Sequence, residues 1–316
     1  MAKKLIRLNR KNLHGVWCAL IVPWNASGTV DARRFAREIR AYGNTGVHGV
    51  YTGGTTGEFY AQTDATYERI TEIACAEAHG AGLPIQIGAT ALSTLTARRR
   101  IRHAIRSGAD AIQIALPFWL ELKDDEVLRF VREIADEAGS TPIVLYLTSR
   151  SKRKVAPPLF GELAAAVPTF IGTKDTGSDV ATVRALLQAA PDVAIFGGED
   201  FFERIPAGGR GGYCSITGFN ARKVVQLYEL CAAGRMDEAK PLADAIHRYL
   251  YEALIPLVKE QGLWDSAVDR IQRVAGGVDV GVGCQSPYRS GTAAHVRQVI
   301  AWVRKNTPEL LPDHLR

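Results

Sequence analysis

Between Ile143-Val144-Leu145-Tyr146 and Phe170-Ile171-Gly172-Thr173-Lys174 the chain passes from one short apolar run to the next, and each run ends in a chemically capable side chain. Tyr146 and Lys174 are 28 residues apart, about the length of one strand-plus-helix unit. The same spacing continues in both directions. Runs rich in Val, Ile and Tyr end near Val22, Tyr51, Gly88, Ala115, Tyr146, Lys174, Gly197 and Ser215, with an average step of about 28 residues. Asp31 precedes an amphipathic Ala32–Tyr42 and Ser93 opens Thr94–Ser107, while Gly43 and Gly108 stand where C-caps are expected. A helix between successive strands implies parallel pairing. Ile112-Gln113-Ile114 and Ile143-Val144-Leu145 lack clean alternation, as strands covered on both faces do.

Eight such units predict an α/β fold, a closed TIM (β/α)8 barrel. An open doubly wound sheet is the competing architecture, but its G-x-G-x-x-G turn is missing, since Val22 leads into Pro23-Trp24-Asn25. Ala221–Gly234, Asp237–Gln261 and Ala293–Lys305 predict further helices, interrupted by a Gly-rich loop over 275–283. The expected division is a catalytic barrel over residues 1–225 and a C-terminal helical extension over 226–316.

Over 316 residues, 47% apolar and 23% charged content excludes a disordered, collagen-like or coiled-coil chain. No strictly apolar run approaches the roughly 18 residues of a membrane span. The basic N-terminus, Met1 to Arg7, has no apolar segment of a secretory leader, so a cytoplasmic location is expected. Five cysteines without a C-x-x-C or Cys/His pairing read as buried free thiols and argue against a disulfide framework or a zinc site. The net charge of +6 suits anionic small molecules. Nucleic acid is not an expected partner, because no basic helix carries interleaved aromatics. Arg98-Arg99-Arg100 with Arg102 reads as a solvated helix face.

In such a barrel the C-terminal strand ends host the active site. Lys174 at one of these ends would point into the barrel mouth, where burial without a fixed anion predicts a lowered pKa and a neutral amine able to form an imine. Pairing with Asp175 at a solvated strand end is the alternative. Tyr146 would lie beside it on the neighbouring strand, as a proton shuttle or as an ordinary core aromatic. Gly53-Gly54-Thr55-Thr56-Gly57-Glu58 offers backbone amides and hydroxyls suited to a carboxylate; a tight turn capped by Thr is the alternative.

Five separated motifs combine here: Gly54-Thr55-Thr56-Gly57-Glu58, Gly108-Ala109-Asp110, the Tyr146 to Lys174 spacing, Gly172-Thr173-Lys174-Asp175-Thr176-Gly177-Ser178-Asp179, and Gly211-Gly212-Tyr213-Cys214-Ser215. With them the chain, from about Gly15 to Ala221, resembles the dihydrodipicolinate synthase and N-acetylneuraminate lyase family, pyruvate-handling class I aldolases on a TIM barrel. The resemblance implies that Lys174 forms a Schiff base with a 2-keto acid, that Tyr146 transfers protons, and that Thr55 and Thr56, beside Gly54, bind the keto acid's carboxylate. A protonated imine is an electron sink, so no metal or other cofactor is required. The resemblance also implies a homo-oligomer, a tetramer or a dimer.

The lysine-biosynthesis branch has a second tyrosine pair where this chain has Pro117-Phe118-Trp119, so its relay tyrosine is lacking. That branch also has an arginine where this chain has Ser151, although Arg150 is adjacent, and its Tyr-Asn-x-Pro turn has become Tyr146-Leu147-Thr148-Ser149. The sugar-acid branch is nearer. Gly197-Gly198-Glu199-Asp200 is similar to its hydroxyl-binding acidic pair, in reversed order, and Thr176 and Ser215 match polar positions of the same pocket. Favourable acids at a helix N-terminus are the alternative for Glu199 and Asp200. Arg150, Lys152, Arg153 and Lys154 fall in the loop after Tyr146, where they could attract a second anionic group or simply face solvent.

The expected function is therefore a Schiff-base-forming lyase, an aldolase or dehydratase, acting on a 2-keto-3-deoxy sugar acid or a related pyruvate-derived 2-keto acid. Two rivals remain. One is the 4-hydroxy-tetrahydrodipicolinate synthase reaction, condensing pyruvate with aspartate semialdehyde; the other is a non-catalytic keto-acid-binding barrel.

Overall fold

Eight parallel strands pair in sequence order and close on themselves: β1 (Gly15–Ala19), β2 (Gly49–Thr52), β3 (Ile85–Gly88), β4 (Ala111–Ala115), β5 (Ile143–Leu147), β6 (Phe170–Asp175), β7 (Ala194–Gly197) and β8 (Gly211–Gly212). The structure is a computed structural model and describes residues 7–316, so the basic N-terminal stretch before Arg7 lies outside the described residues. The crossovers are α1 (Ala32–Arg40), α2 (Asp64–Gly80), α3 (Thr94–Ser107), α4 (Asp124–Ala138), α5 (Pro157–Ala166), α6 (Val180–Ala189), the short α7 (Phe201–Arg204) and α8 (Thr217–Ala232). Then come α9 (Met236–Arg248), a π-helical segment Tyr249–Leu254, α10 (Ile255–Lys259), α11 (Asp265–Ala275) and α12 (Ala293–Asn306). Among the described residues no helix is long and apolar enough to cross a membrane.

Local chemistry sets these boundaries. The Ser93 hydroxyl accepts the Thr96 N–H at 3.2 Å and starts α3, and Gly108, at φ 96°, ends it in the left-handed region that favours glycine. Asp110 then ties α3's exit to the sheet, its Oδ2 accepting the Ile85 N–H at 2.8 Å. The core has two layers. Trp17, Tyr51, Val144, Ile171, Phe196 and Tyr213 fill the barrel interior, and a larger apolar shell lies between strands and helices.

The structure departs from expectation at several boundaries. β1 ends at Ala19, not near Val22, because Leu20, Ile21 and Val22 are buried outside the sheet, where the Val22 carbonyl accepts from Arg270 at 2.7 Å. β8 is only Gly211–Gly212, short of Ser215. A Cβ on Gly211 would fall 2.0 Å from the Gly15 carbonyl oxygen, so glycine alone permits the close approach that shuts the barrel there. α1 is capped by Ala41 in the right-handed region rather than by Gly43. α8 begins at Thr217, so the expected division after residue 225 falls inside it. The arginine run faces solvent as expected except at Arg100. Arg100 is buried and lies over the Tyr67 ring, Arg98 and Arg102 both pair with Glu137, and Arg99 pairs with Asp64. α11, which the sequence reading passed over, runs across the barrel mouth.

Candidate active site

Parallel register places Tyr146 of β5 directly opposite Lys174 of β6. Lys174 is 7% exposed. Its Nζ donates to the Tyr51 hydroxyl at 2.7 Å and stands 4.3 Å from the centre of the Tyr146 ring and 5.6 Å from that of Tyr213. Asp175 is not its partner, since its Oδ1 accepts the N–H groups of Gly177 and Ser178 at 3.1 and 3.0 Å. Tyr51 and Tyr213 meet edge to face, and the Tyr213 hydroxyl donates to Gln86 at 2.9 Å, deeper in the barrel. The amine thus closes the top of a buried polar column.

The sequence predicts a lowered lysine pKa, and the structure reverses the direction. Burial works against the ammonium, but Tyr146, Tyr51 and Tyr213 around it hold its pKa above the ordinary lysine value. For Tyr146, burial pushes upward and is outweighed by Lys174, Arg150 and the hydroxyls of Thr148 and Thr55, so this phenol falls below its ordinary value. Burial pushes Tyr51 up to about 12, which keeps it a neutral phenol. The two shifts run in opposite directions and favour an ammonium on Lys174 beside a phenolate on Tyr146, a pair in which the phenolate can take the lysine's proton.

Two adjoining chambers open above Lys174. The inner one, of about 240 Å³, is walled by Lys174, Tyr51, Thr55, Thr56, Tyr146, Thr176, Glu199 and Ser215, and is roofed by Asp265, Asp269 and Gln272 of α11. The outer one, of about 260 Å³, includes Gly54, Phe59, Tyr60, Phe118 and Trp264. Thr55, Tyr146, Arg150 and Asp265 belong to both. Among the described residues the backbone N–H groups of Thr55 and Thr56 donate to no acceptor within the chain, which leaves them free for an anion in the inner chamber.

Most of the candidate residues named from sequence converge here, though several are committed to other groups. The Thr56 hydroxyl donates to Asp269 at 2.6 Å. Glu199 Oε1 accepts from the Ser215 N–H at 2.6 Å and its hydroxyl at 2.8 Å, making one polar wall. Asp200 points elsewhere, accepting the Gly198 N–H at 3.0 Å and pairing with Arg204. Arg150 pairs with Asp265 at 2.7 Å, Arg153 with Asp124, and Lys152 donates to the Trp119 carbonyl at 2.9 Å, so this basic loop is largely paired. Trp119 itself is exposed at the rim.

α11 supplies what the sequence reading missed. Every residue from Ser266 to Arg273 is buried, and its charges find partners far along the chain: Arg270 with Glu58, and Arg273 with Glu38. Burial pushes Asp269 up to about 7, against the Thr56 hydrogen bond that favours its charge. The available signal was Asp265, Asp269, Arg270 and Arg273 at helical spacing around Val268 and Ile271. Of the thiols, Cys18, Cys75, Cys214 and Cys231 are buried and Cys284 is half-buried.

The sequence model of the dihydrodipicolinate synthetase family matches residues 12–305. The chain belongs to that family. Its members are class I lyases that work through a lysine Schiff base, and this chain is an enzyme of that kind, a pyruvate-dependent aldolase by class. N-acetylneuraminate lyase of Rhizobium meliloti (strain 1021) is 29% identical over 241 residues, covering 75% of this chain and 79% of that protein. N-acetylneuraminate lyase of Salmonella typhimurium is 30% identical over 222 residues, covering 68% and 74%. Among solved structures, the wild-type sialic acid aldolase of Ruminococcus gnavus superposes with a TM-score of 0.84 at 22% identity, covering 95% of this chain and all of that one, a likeness of fold.

Proposed function

We propose that this enzyme cleaves a 4-hydroxy-2-keto acid, the class that includes the 2-keto-3-deoxy sugar acids, to pyruvate and an aldehyde, with Lys174 as the Schiff-base nucleophile. One observation carries the reading: a buried amine faces a phenol of lowered pKa in a chamber also lined by Thr55 and Thr56, whose N–H groups have no acceptor among the described residues.

Thr55 and Thr56 hold the substrate carboxylate, which sets C2 against Nζ. Lys174 passes a proton to the Tyr146 phenolate and attacks C2 as the free amine. Tyr146 returns that proton to the carbinolamine hydroxyl, which leaves as water, and a protonated imine remains. The C4 hydroxyl then gives its proton to Tyr146 while the C3–C4 bond breaks. Its electron pair moves into the imine nitrogen, C4 departs as the aldehyde, and an enamine is left. Tyr146 protonates C3, and water hydrolyses the imine to release pyruvate. Loss of water from the substrate would draw on the same electron sink.

Thr176, Ser215 and Glu199 support a hydroxyl-bearing C4, because each buried hydroxyl needs a partner. Condensation with aspartate semialdehyde has less support, since Arg150 already pairs with Asp265 and the relay tyrosine is replaced at Phe118-Trp119.

Borohydride added with pyruvate should leave a stable adduct on the Lys174 peptide, read by mass spectrometry, and Lys174→Ala should abolish both adduct and turnover in a folded protein. An unmodified Lys174 peptide in the wild type would overturn the proposal.

A further inference from the structure

The outer chamber has a different composition from the inner one. Phe59 and Tyr60 come from the loop after β2, Phe118 from the loop after β4, and Trp264 and Tyr288 from either side of α11. Four of them form one aromatic cluster: Phe59 meets Phe118 edge-on at 6.2 Å, Phe59 meets Tyr60 at 5.6 Å, and Tyr60 meets Tyr288 at 4.7 Å. Trp264 is 54% exposed at the rim, which is apolar surface open to cover by a ligand.

This wall suits few hydroxyls. The Tyr60 hydroxyl already donates to Ser266 at 3.0 Å. Ser151, only 2% exposed, has a hydroxyl without a hydrogen-bond partner and lines this chamber. A polyol would lose water at every hydroxyl and recover few partners, whereas a ring would stack and meet edges throughout. The volume of about 260 Å³ exceeds the roughly 150 Å³ in which an apolar protein cavity holds benzene.

Because Thr55, Tyr146, Arg150 and Asp265 border both chambers, a substrate joined to Lys174 with C4 beside Tyr146 would extend directly into the aromatic one. We propose that the outer chamber holds the aldehyde half of the substrate, and that this half is an aromatic ring, or an apolar group of similar size, bearing at most one or two hydrogen-bonding substituents. This rests on the imine reading above and narrows it, placing the polar wall of the inner chamber against the C4 hydroxyl alone.

The test runs the reaction in the synthetic direction with pyruvate and either benzaldehyde or D-glyceraldehyde, following pyruvate consumption. Benzaldehyde should show a kcat/KM at least roughly tenfold higher, the scale on which a shaped apolar pocket discriminates. Phe118→Ala and Trp264→Ala should each raise the KM for benzaldehyde more than that for glyceraldehyde, with borohydride-trapped pyruvate on Lys174 as the check that the variant is folded. A trapped adduct together with equal or reversed aldehyde preference would overturn the aromatic assignment alone. Absence of any adduct in the wild type would overturn the imine reading and this assignment with it. Equal loss for both aldehydes in the variants would show that the aromatic wall does not select the acceptor.

Discussion

On the floor of the site Lys174 is surrounded by three phenols, Tyr51, Tyr146 and Tyr213, and among the described residues no carboxylate lies within ion-pair distance of it. On the roof, three of the four α11 charges meet an opposite charge from another part of the chain: Asp265 with Arg150, Arg270 with Glu58, and Arg273 with Glu38. The two regions border the same inner chamber and treat charge differently. A phenol and an amine side by side can trade a proton, because either group can carry it. A buried carboxylate with a guanidinium cannot, because arginine keeps its proton and losing either partner strands a charge in a dry interior. The floor is built for chemistry and the roof for holding α11 over it.

By that contrast, the largest effect belongs to the floor. Tyr146→Phe keeps the ring against Lys174 and removes only the proton carrier, so kcat should fall by roughly 10²- to 10⁴-fold, while the melting temperature stays near that of the wild type. Steady-state kinetics beside a thermal melt check this. A Tyr146→Phe enzyme with near-normal kcat would move the acid/base role elsewhere and erase the distinction between floor and roof.

The roof gives the next effect. Both Arg270 and Glu58 have fully buried side chains, and Glu58 also accepts from Trp24 and from the Gln285 N–H at 2.9 Å. Arg270→Met leaves that carboxylate without its cation and should cost about 3–5 kcal/mol of stability, measured by denaturant unfolding. Adding Glu58→Gln should restore a substantial part of it, because the stranded charge goes with it. No recovery in the double variant would mean that packing of the arginine stem, rather than charge pairing, holds α11 in place.

The same division decides what could be read from the sequence. Strand ends advertise themselves: Tyr146 and Lys174 each close an apolar run, and the unit length places them side by side, as the register shows. Ser93 and Gly108 mark α3 because capping is local chemistry. α11 offered no such signal. Its buried face is charged, and what makes it a buried helix is Glu38 and Glu58, more than 200 residues away in sequence, so periodicity of apolar residues alone did not reveal it. The lysine's pKa direction failed for a related reason. The expectation counted burial and left out the pull of Tyr146, the largest upward cause, and of Tyr51 and Tyr213, which only barrel closure brings to the amine. The aromatic chamber, too, is assembled from segments far apart in sequence.

Asp269 is the roof charge without a cation, and it supplies the smallest and most specific effect. Thr56 is its hydrogen-bond partner, and the charged groups facing it are Asp265 on its own helix, Glu199 after β7, and Lys174 on β6. Burial raises it to about 7 from an ordinary value near 3.8, so the folded state holds a proton that the unfolded chain releases. Stability from that proton is fully present below about 4 and is lost as pH rises through about 7. Between pH 6 and pH 8 the wild type should therefore lose about 1.4 kcal/mol relative to Asp269→Asn, the value of one pH unit of linkage. Asn keeps the shape and cannot ionise, so the difference between the two denaturation profiles isolates this carboxyl from every group the two proteins share. Parallel profiles for the two proteins would mean that Asp269 does not change its protonation between pH 6 and pH 8, and its placement as a carboxyl held neutral by burial up to about 7 would fall.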